Sequence, residues 1–411
     1  MDNQHCRFCG RPLTHTFVDL GLSPLSNEYL KESDLKCGQF FYPLRVNVCD
    51  GCFLVQATEY QRPEQIFGEY RYFSSYSTSW LAHCKAYVDM IVRRLGLTQS
   101  SKVLEIACND GYLLQYFIPY GIKTKGIEPA ENVAQVAREK GIDVKCCFFG
   151  KETAYDIVAQ EGTFDLIIGN NVLAHVPDIN SFVAGMAATL SPSGTITMEF
   201  PHLMQLMQLS QFDTIYHEHF SYLSLGAVER IFRSHGLRIY DVEELPTHGG
   251  SLRIYAAHEA CGQLLTANSV NELLQREDRF GLNDISVYGD FAQKAFQIKL
   301  DTLQALMQLK REGKRIAAFG AAAKGNTFLN YCGLKRDVID FVADSNPHKQ
   351  GLYLPGSMIP IVEPGLIQQE KPDYLLILPW NLTSEIVELT KYIQSWGGRH
   401  IVCIPKVRIL S

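Results

Sequence analysis

From residue 102 onward the chain alternates short apolar runs with longer amphipathic ones. Apolar runs at 103–107, 123–127, 143–149, 164–170 and 194–200 predict five strands. The intervening segments carry apolar residues at helical spacing, and a helix is expected to begin near Tyr112. This alternation predicts a doubly wound, Rossmann-like parallel sheet in an α/β protein. Two further runs, 237–245 and 251–258, flank a short glycine-containing loop at 246–250. They predict an antiparallel pair closing that sheet. An amphipathic stretch from Trp80 to Leu95 predicts a helix in front of it. Residues 260–312 are polar with helical spacing. The strand–helix rhythm then restarts, with strands expected at 315–319, 338–343, 374–378 and 400–404.

The first 60 residues follow a different logic. Cys6-Arg-Phe-Cys9 and Cys49-Asp-Gly-Cys52 form two CxxC knuckles about 40 residues apart. Two residues between thiolates let both sulfurs of one turn face a single ion, and four thiolates complete a tetrahedral Zn2+ site with no open position. Such a site is structural. A module this small lacks the core to fold alone, and metal binding supplies what is missing.

Composition narrows the function. The chain has 411 residues, 38 Lys and Arg against 44 Asp and Glu, and a net charge of −6 with both signs mixed. That argues against a general nucleic-acid binder, which needs a basic field. No apolar run approaches the ~18 residues of a membrane span, and the polar N-terminus shows no signal-peptide pattern. A cytoplasmic protein is expected, with no membrane and no nucleic-acid partner. Twelve cysteines in such a compartment point to metal before disulfides.

The first strand–helix turn is where a nucleotide is sought. It reads Glu105-Ile-Ala-Cys-Asn109-Asp-Gly111-Tyr112-Leu113. The GxGxxG of dinucleotide folds is absent, which speaks against NAD. S-adenosylmethionine has no pyrophosphate, so Gly111 alone suffices for the turn. Glu128, followed by Pro129, ends the second strand 17 residues later and is placed to accept both ribose hydroxyls. Phe148 and Phe149 after the third strand can pack on adenine. Asn170 and Asn171 after the fourth lie towards the methionyl end. These positions are ends of adjacent strands and share one crevice. The run Tyr70-Arg-Tyr72-Phe73-Ser-Ser75-Tyr76 is too dense for an anonymous linker. It either lines that crevice, through Tyr72, Phe73 and Ser75, or packs in the core.

Tyr216-His217-Glu218-His219 follows the fifth strand. Its histidines can be metal ligands, buried structural groups, or a general base, and the residues alone leave these open. A base is wanted if carbon is methylated, because a hydrogen beside a ketone must first be removed; imidazole suits that at neutral pH.

Taken together, the paired knuckles, Tyr-Phe-Ser-Ser-Tyr, Glu-Ile-Ala-Cys-Asn-Asp-Gly-Tyr-Leu-Leu, Tyr-His-Glu-His-Phe-Ser-Tyr and His-Gly-Gly-Ser-Leu-Arg occur here in order. The series resembles the sugar C-methyltransferases of deoxysugar biosynthesis over essentially the whole chain, with Cys108 standing where that family usually has serine. The resemblance implies an S-adenosylmethionine-dependent enzyme that methylates C3 of a nucleoside-diphosphate-linked 4-keto-6-deoxy sugar, dTDP-linked by expectation although the base is not readable. It implies His219 as base with Glu218 and Tyr216 beside it, and His175 and Tyr70 completing the sugar pocket. The expected organisation is a zinc module at 1–68, a class I methyltransferase domain at 69–260, a helical connector at 261–312 and a nucleotide-sugar-binding α/β domain at 313–411.

The nucleotide end is expected near Gly320-Ala-Ala-Ala-Lys324-Gly325-Asn326-Thr327. This misses the P-loop pattern, since its lysine precedes the second glycine. A strand–glycine–helix turn still offers N–H groups to phosphate. Lys324, Asn326, Lys349, Trp380 and Asn381 are candidate contacts, as are Tyr222, His248, Ser251 and Arg253 nearer the cleft. Two rival readings are an O-methyltransferase on a similar sugar and a non-catalytic zinc-ribbon adaptor.

Overall fold

The computed structural model describes residues 5–62, 73–262 and 264–410. Its centre is a seven-stranded sheet. The strands are β4 (Lys102–Ile106), β5 (Lys123–Ile127), β6 (Asp143–Lys145), β7 (Phe164–Asn170), β8 (Leu190–Pro201), β10 (Leu237–Leu245) and β11 (Ser251–His258), in the order β10-β11-β8-β7-β4-β5-β6. β4 to β8 are mutually parallel. β11 runs antiparallel to both β8 and β10. The expected parallel sheet with an antiparallel closing pair is therefore present. Both faces are apolar, because helices cover both: Leu104 and Ile106 join one core, and Val103 joins another with Val88 and Ile91 of the helix Thr78–Leu95. The order reverses between β4 and β7, which opens a crevice at their carboxyl ends.

Three expectations are corrected. No α-helix begins at Tyr112; the chain makes two 3-10 turns there, Leu114–Tyr116 and Ile118–Tyr120. Pro119 lacks the N–H an α-helix would use and disfavours the helical conformation before it. The third strand stops at Lys145, before Phe148 and Phe149. The expected turn at 191–194 lies inside a continuous β8 as a bulge, with Phe164 opposite Leu190 but Leu166 opposite Thr195.

Around this centre lie two smaller sheets. The N-terminal one contains β1 (His15–Ser23), β2 (Tyr42–Val48) and β3 (Val55–Ala57), and its fourth strand is β9 (Ser221–Tyr222), from beyond β8. The C-terminal one has six strands, β12 (Ile316–Phe319), β13 (Val342–Ala343), β14 (Ile361–Val362), β15 (Tyr374–Ile377), β16 (Arg399–Val402) and β17 (Arg408–Leu410). β17, which the pattern did not suggest, pairs antiparallel with β16. The strand expected at 338–343 is confined to Val342–Ala343. A single apolar core runs through Phe17 and Val46, through Phe212, Ile215 and Tyr222, through Phe291 of the helix Asp290–Arg311, and into Phe328 and Leu376. The segment 210–222 is thus gripped from both sides, which matters for what it carries. Among the described residues no helix is long and apolar enough to cross a membrane.

Candidate active site

The four knuckle cysteines meet. All their sulfurs lie within 4.8 Å of one another, with Cys6 and Cys52 at 3.5 Å and Cys9 and Cys49 at 3.5 Å. A tetrahedron with zinc–sulfur bonds of about 2.3 Å has edges of about 3.8 Å, so the cluster fits Zn2+. Gln56 donates from Nε2 to Cys6 Sγ and Gly51 from its backbone to Cys49 Sγ, which orients the ligands.

At the crevice, acids collect at the end of β4. Glu105 is fully buried, and neither carboxylate oxygen has a hydrogen-bond partner among the described residues. Burial holds its carboxyl well above the ordinary carboxylate range; Tyr112 opposes this, and the charges of Glu128 and Asp110 add to it. Asp110 Oδ1 is also buried without a partner. Lys140 Nζ lies 3.8 Å from Asp110 Oδ2, whereas Glu105 is in no ion pair among the described residues. A buried carboxyl calls for a cation, and S-adenosylmethionine brings two, an ammonium and a sulfonium. The residues therefore fit that group.

Glu128 is also buried, accepting from the backbone N–H groups of Asn109 at 3.0 Å and Ala130 at 2.9 Å. Burial pushes it up to about 7. Asn109, in the left-handed region, accepts through Oδ1 from Ser74 N–H at 3.0 Å, and Ser75 N–H donates to Asp110 Oδ2 at 3.3 Å. Ser74 and Ser75 of the aromatic–serine run are therefore fastened to the turn. Phe73 stacks on His348, with ring centres 5.8 Å apart. Tyr70 and Tyr72 lie outside the described residues.

Several other cofactor candidates have different surroundings. Gly111 has φ +76°, and a Cβ there would meet Ile142 at 2.3 Å, so packing as well as the turn demands glycine. Leu113 is core, Phe149 packs edge-on to Phe182, and Phe148 is exposed. Pro129 accepts the Cys146 thiol. Asn170 Nδ2 is buried and without a partner among the described residues. Asn171 donates to His248 Nε2 at 3.1 Å.

The candidate base lies on the segment between β8 and β9. His219 Nδ1 lies 2.7 Å from the Thr214 carbonyl. A carbonyl only accepts, so Nδ1 carries the hydrogen and Nε2 keeps its lone pair. Burial, then the neighbouring His175, holds this imidazole well below its ordinary value, so it is neutral at physiological pH. The Tyr216 ring, tilted by 32°, is centred 4.0 Å from it and His175 lies 4.7 Å away, edge-on. His175 donates from Nδ1 to the Glu218 carbonyl at 2.8 Å. Burial lifts the Glu218 carboxyl to about 7, and one of its oxygens accepts from Asn27 Nδ2 at 3.1 Å. Tyr222 is buried, with a hydroxyl lacking a partner among the described residues. The two histidines of the motif part company: His217 turns to the N-terminal sheet, where Nε2 donates to the Pro43 carbonyl at 3.3 Å. Among the described residues, the cysteine set is the metal-binding cluster; the motif histidines do not form one.

The substrate candidates divide. Lys324 donates to Asn381 Oδ1 at 2.7 Å and lies 4.8 Å over the Trp380 ring. The Trp380 N–H is committed to Asp213 Oδ2 at 2.8 Å. Ser251 donates to the Thr247 carbonyl. Arg253 donates to Glu199 at 2.8 Å and Glu243 at 3.1 Å. Asn326 is buried on the Ser26 carbonyl, and Lys349 donates to the Ala321 carbonyl at 2.8 Å. Ser251 Oγ, two nitrogens of Arg253 and Asn326 Nδ2 thus have internal partners, while Arg253 Nε and Asn326 Oδ1 are buried without one among the described residues.

Sequence reasoning missed Asp213, Thr214, Asn27, His83 and Glu199. Glu199 is fully buried and accepts from His83, Arg253 and Thr247. No motif marks these residues. The available signal was an acid, Glu199, inside an otherwise apolar strand.

Comparison with known proteins gives three family matches in order. "Putative zinc binding domain" matches residues 6–67, "Methyltransferase domain" residues 80–242, and "C-methyltransferase C-terminal domain" residues 246–405. C-methyltransferase NovU of Streptomyces niveus is 37% identical over 406 residues, covering 99% of this chain and 96% of that protein. A ubiquinone biosynthesis O-methyltransferase of Bordetella avium is 30% identical over 111 residues, 26% of this chain and 46% of that protein. Among solved structures, PH0226 protein from Pyrococcus horikoshii OT3 is 17% identical, covers 48% of this chain and 99% of that one, and has a TM-score of 0.36.

Proposed function

The chain belongs to the sugar C-methyltransferase family and is an S-adenosylmethionine-dependent methyltransferase, and from that premise we propose that it methylates C3 of a nucleoside-diphosphate-linked 4-keto-6-deoxy sugar with His219 as base. The observation that carries the reading is the Nε2 lone pair of a neutral, half-buried His219, together with the buried Glu105 carboxyl at the end of β4, which has no hydrogen-bond partner among the described residues. S-adenosylmethionine supplies an electrophilic methyl group on a sulfonium. Glu105 and Asp110 would hold its ammonium and Glu128 its ribose.

His219 Nε2 takes the proton from C3. The C–H electron pair passes into the enolate, with charge on the C4 oxygen. The enolate carbon would be the nucleophile for the methyl group that S-adenosylmethionine supplies when bound, with S-adenosylhomocysteine as the leaving group. A neutral imidazole is required at the first step, and burial supplies it. Tyr216 lies tilted against the base and His175 borders it edge-on, so both would line the sugar's pocket. The uncapped N-terminus of the helix Ala323–Cys332 suits a diphosphate, with dTDP the nucleotide to try first.

The test is incubation with labelled S-adenosylmethionine and a panel of 4-keto-6-deoxy sugar nucleotides, locating the new methyl by NMR. A methyl on oxygen, or none, would refute the reading.

A further inference from the structure

Lys324 is the cation of the crevice that the reaction above leaves unused. It is the second residue of the helix Ala323–Cys332 and stands half-buried against the Trp380 face. Asn381 takes one of its three N–H donors. The indole it rests on is fixed twice. Its N–H is held by the fully buried Asp213, and its ring edge packs on Gly249, where a Cβ would sit 2.3 Å from the ring. Gly249 follows His248, and Asp213 precedes Thr214, whose carbonyl orients the base. Lys324 therefore hangs between the loop of His248 and the loop of His219. Its charge is felt at both rings, lowering each, and at Asp213. Burial itself disfavours the ammonium, and Asp213 is the charge that opposes this.

A half-buried ammonium with donors left over, set near the loop of a general base, has a specific use. The proton removed and the oxygen that gains charge sit on adjacent ring carbons, so base and oxyanion donor must flank the same bond. We propose that Lys324 stabilises the C4 enolate oxygen, acting as a catalytic residue and not as a ligand of the diphosphate. This rests on the keto-sugar reading. In the step, the C3–H bond breaks, its proton goes to His219 Nε2, and the electron pair delocalises to an oxygen that accepts a hydrogen bond from Lys324 Nζ. The same charge adds to the burial that keeps His219 unprotonated before the step.

The experiment is solvent deuterium exchange at C3 without methyl donor, together with steady-state methylation, for wild type, Lys324→Met and Lys324→Arg. S-adenosylhomocysteine affinity reports the state of the donor pocket. Expected for Lys324→Met is a fall of about 10²–10³-fold in kcat and in exchange, with KM for the sugar nucleotide changed less than about threefold. Lys324→Arg keeps the charge and should retain more exchange than Lys324→Met. The acid limb of kcat/KM should also move to higher pH in Lys324→Met, because removing a neighbouring cation raises the base's pKa. A raised KM with kcat intact would make Lys324 a diphosphate ligand and overturn the proposal. Equal loss in the Met and Arg variants, or undiminished exchange in Lys324→Met, would overturn it as well. Absence of exchange in wild type would instead overturn the keto-sugar reading itself.

Discussion

Trp380 donates its indole N–H to Asp213 at 2.8 Å, although 167 residues separate them. Through Asp213 the C-terminal sheet grips the turn whose next carbonyl, that of Thr214, holds the candidate base. Thr327 adds a second grip, donating to the Ile215 carbonyl at 2.9 Å. A buried hydrogen bond to an acid is worth about 1.5–3 kcal/mol. Trp380→Phe keeps the ring and removes the donor. Denaturation of Trp380→Phe, Asp213→Ala and the double variant should give a coupling of about that size, and Trp380→Phe should lower kcat with donor affinity unchanged. Additive losses would show that the contact does no work.

His219 reports its own protonation. Its imidazole lies well below the ordinary value because it is buried beside His175. Protonation removes the base, so kcat/KM and C3 exchange should hold from neutral pH down past about 6.5 before falling. His219→Asn should abolish both. Exchange persisting in that variant would reassign the base.

Glu105 should link donor binding to protons. Burial keeps it protonated in the folded, donor-free chain, whereas an unfolded glutamate ionises near about 4.3. For an acid raised on folding, the native state holds the extra proton, so stability falls as pH rises through that window. Glu105→Gln lacks this loss. Its stability advantage over wild type should be near zero at pH 4 and grow towards pH 8, at up to about 1.4 kcal/mol per pH unit. Binding of the cationic donor should release a proton in wild type and none in the variant, measured by calorimetry in buffers of different ionisation enthalpy. A constant stability gap across pH would contradict the assignment.

Zinc should matter to catalysis at a distance. The knuckle Cys49–Cys52 precedes β3, and Val55 and Gln56 of β3 pair with Tyr222 and Ser221 of β9, two residues beyond His219. Asn27 also reaches Glu218. Cys49→Ser or chelation should unfold the N-terminal sheet, abolish methylation and largely spare S-adenosylhomocysteine binding. One zinc per chain is expected by elemental analysis. Full activity without metal would exclude this coupling.

Periodicity, which records local burial, sufficed for the seven-stranded sheet: its central strands β4 and β7 are buried on both faces and read as apolar runs. The cysteine spacing sufficed for the zinc cluster, because ligand geometry is set within each turn. Glu105 was legible as a strand acid beside a glycine turn. The rest was not. His217 and His219 are indistinguishable two residues apart in sequence. Their separate fates depend on Thr214 and Pro43, acceptors supplied by the fold. Lys324, Trp380 and Asn381 read as a nucleotide site, and their packing against Asp213 and Gly249 has no signal in the sequence. Sequence by itself determined the elements and the ligands that lie within one turn or strand. Which way a buried polar side chain faces was decided only by tertiary structure, since each such group must find a partner and those partners lie tens to hundreds of residues away.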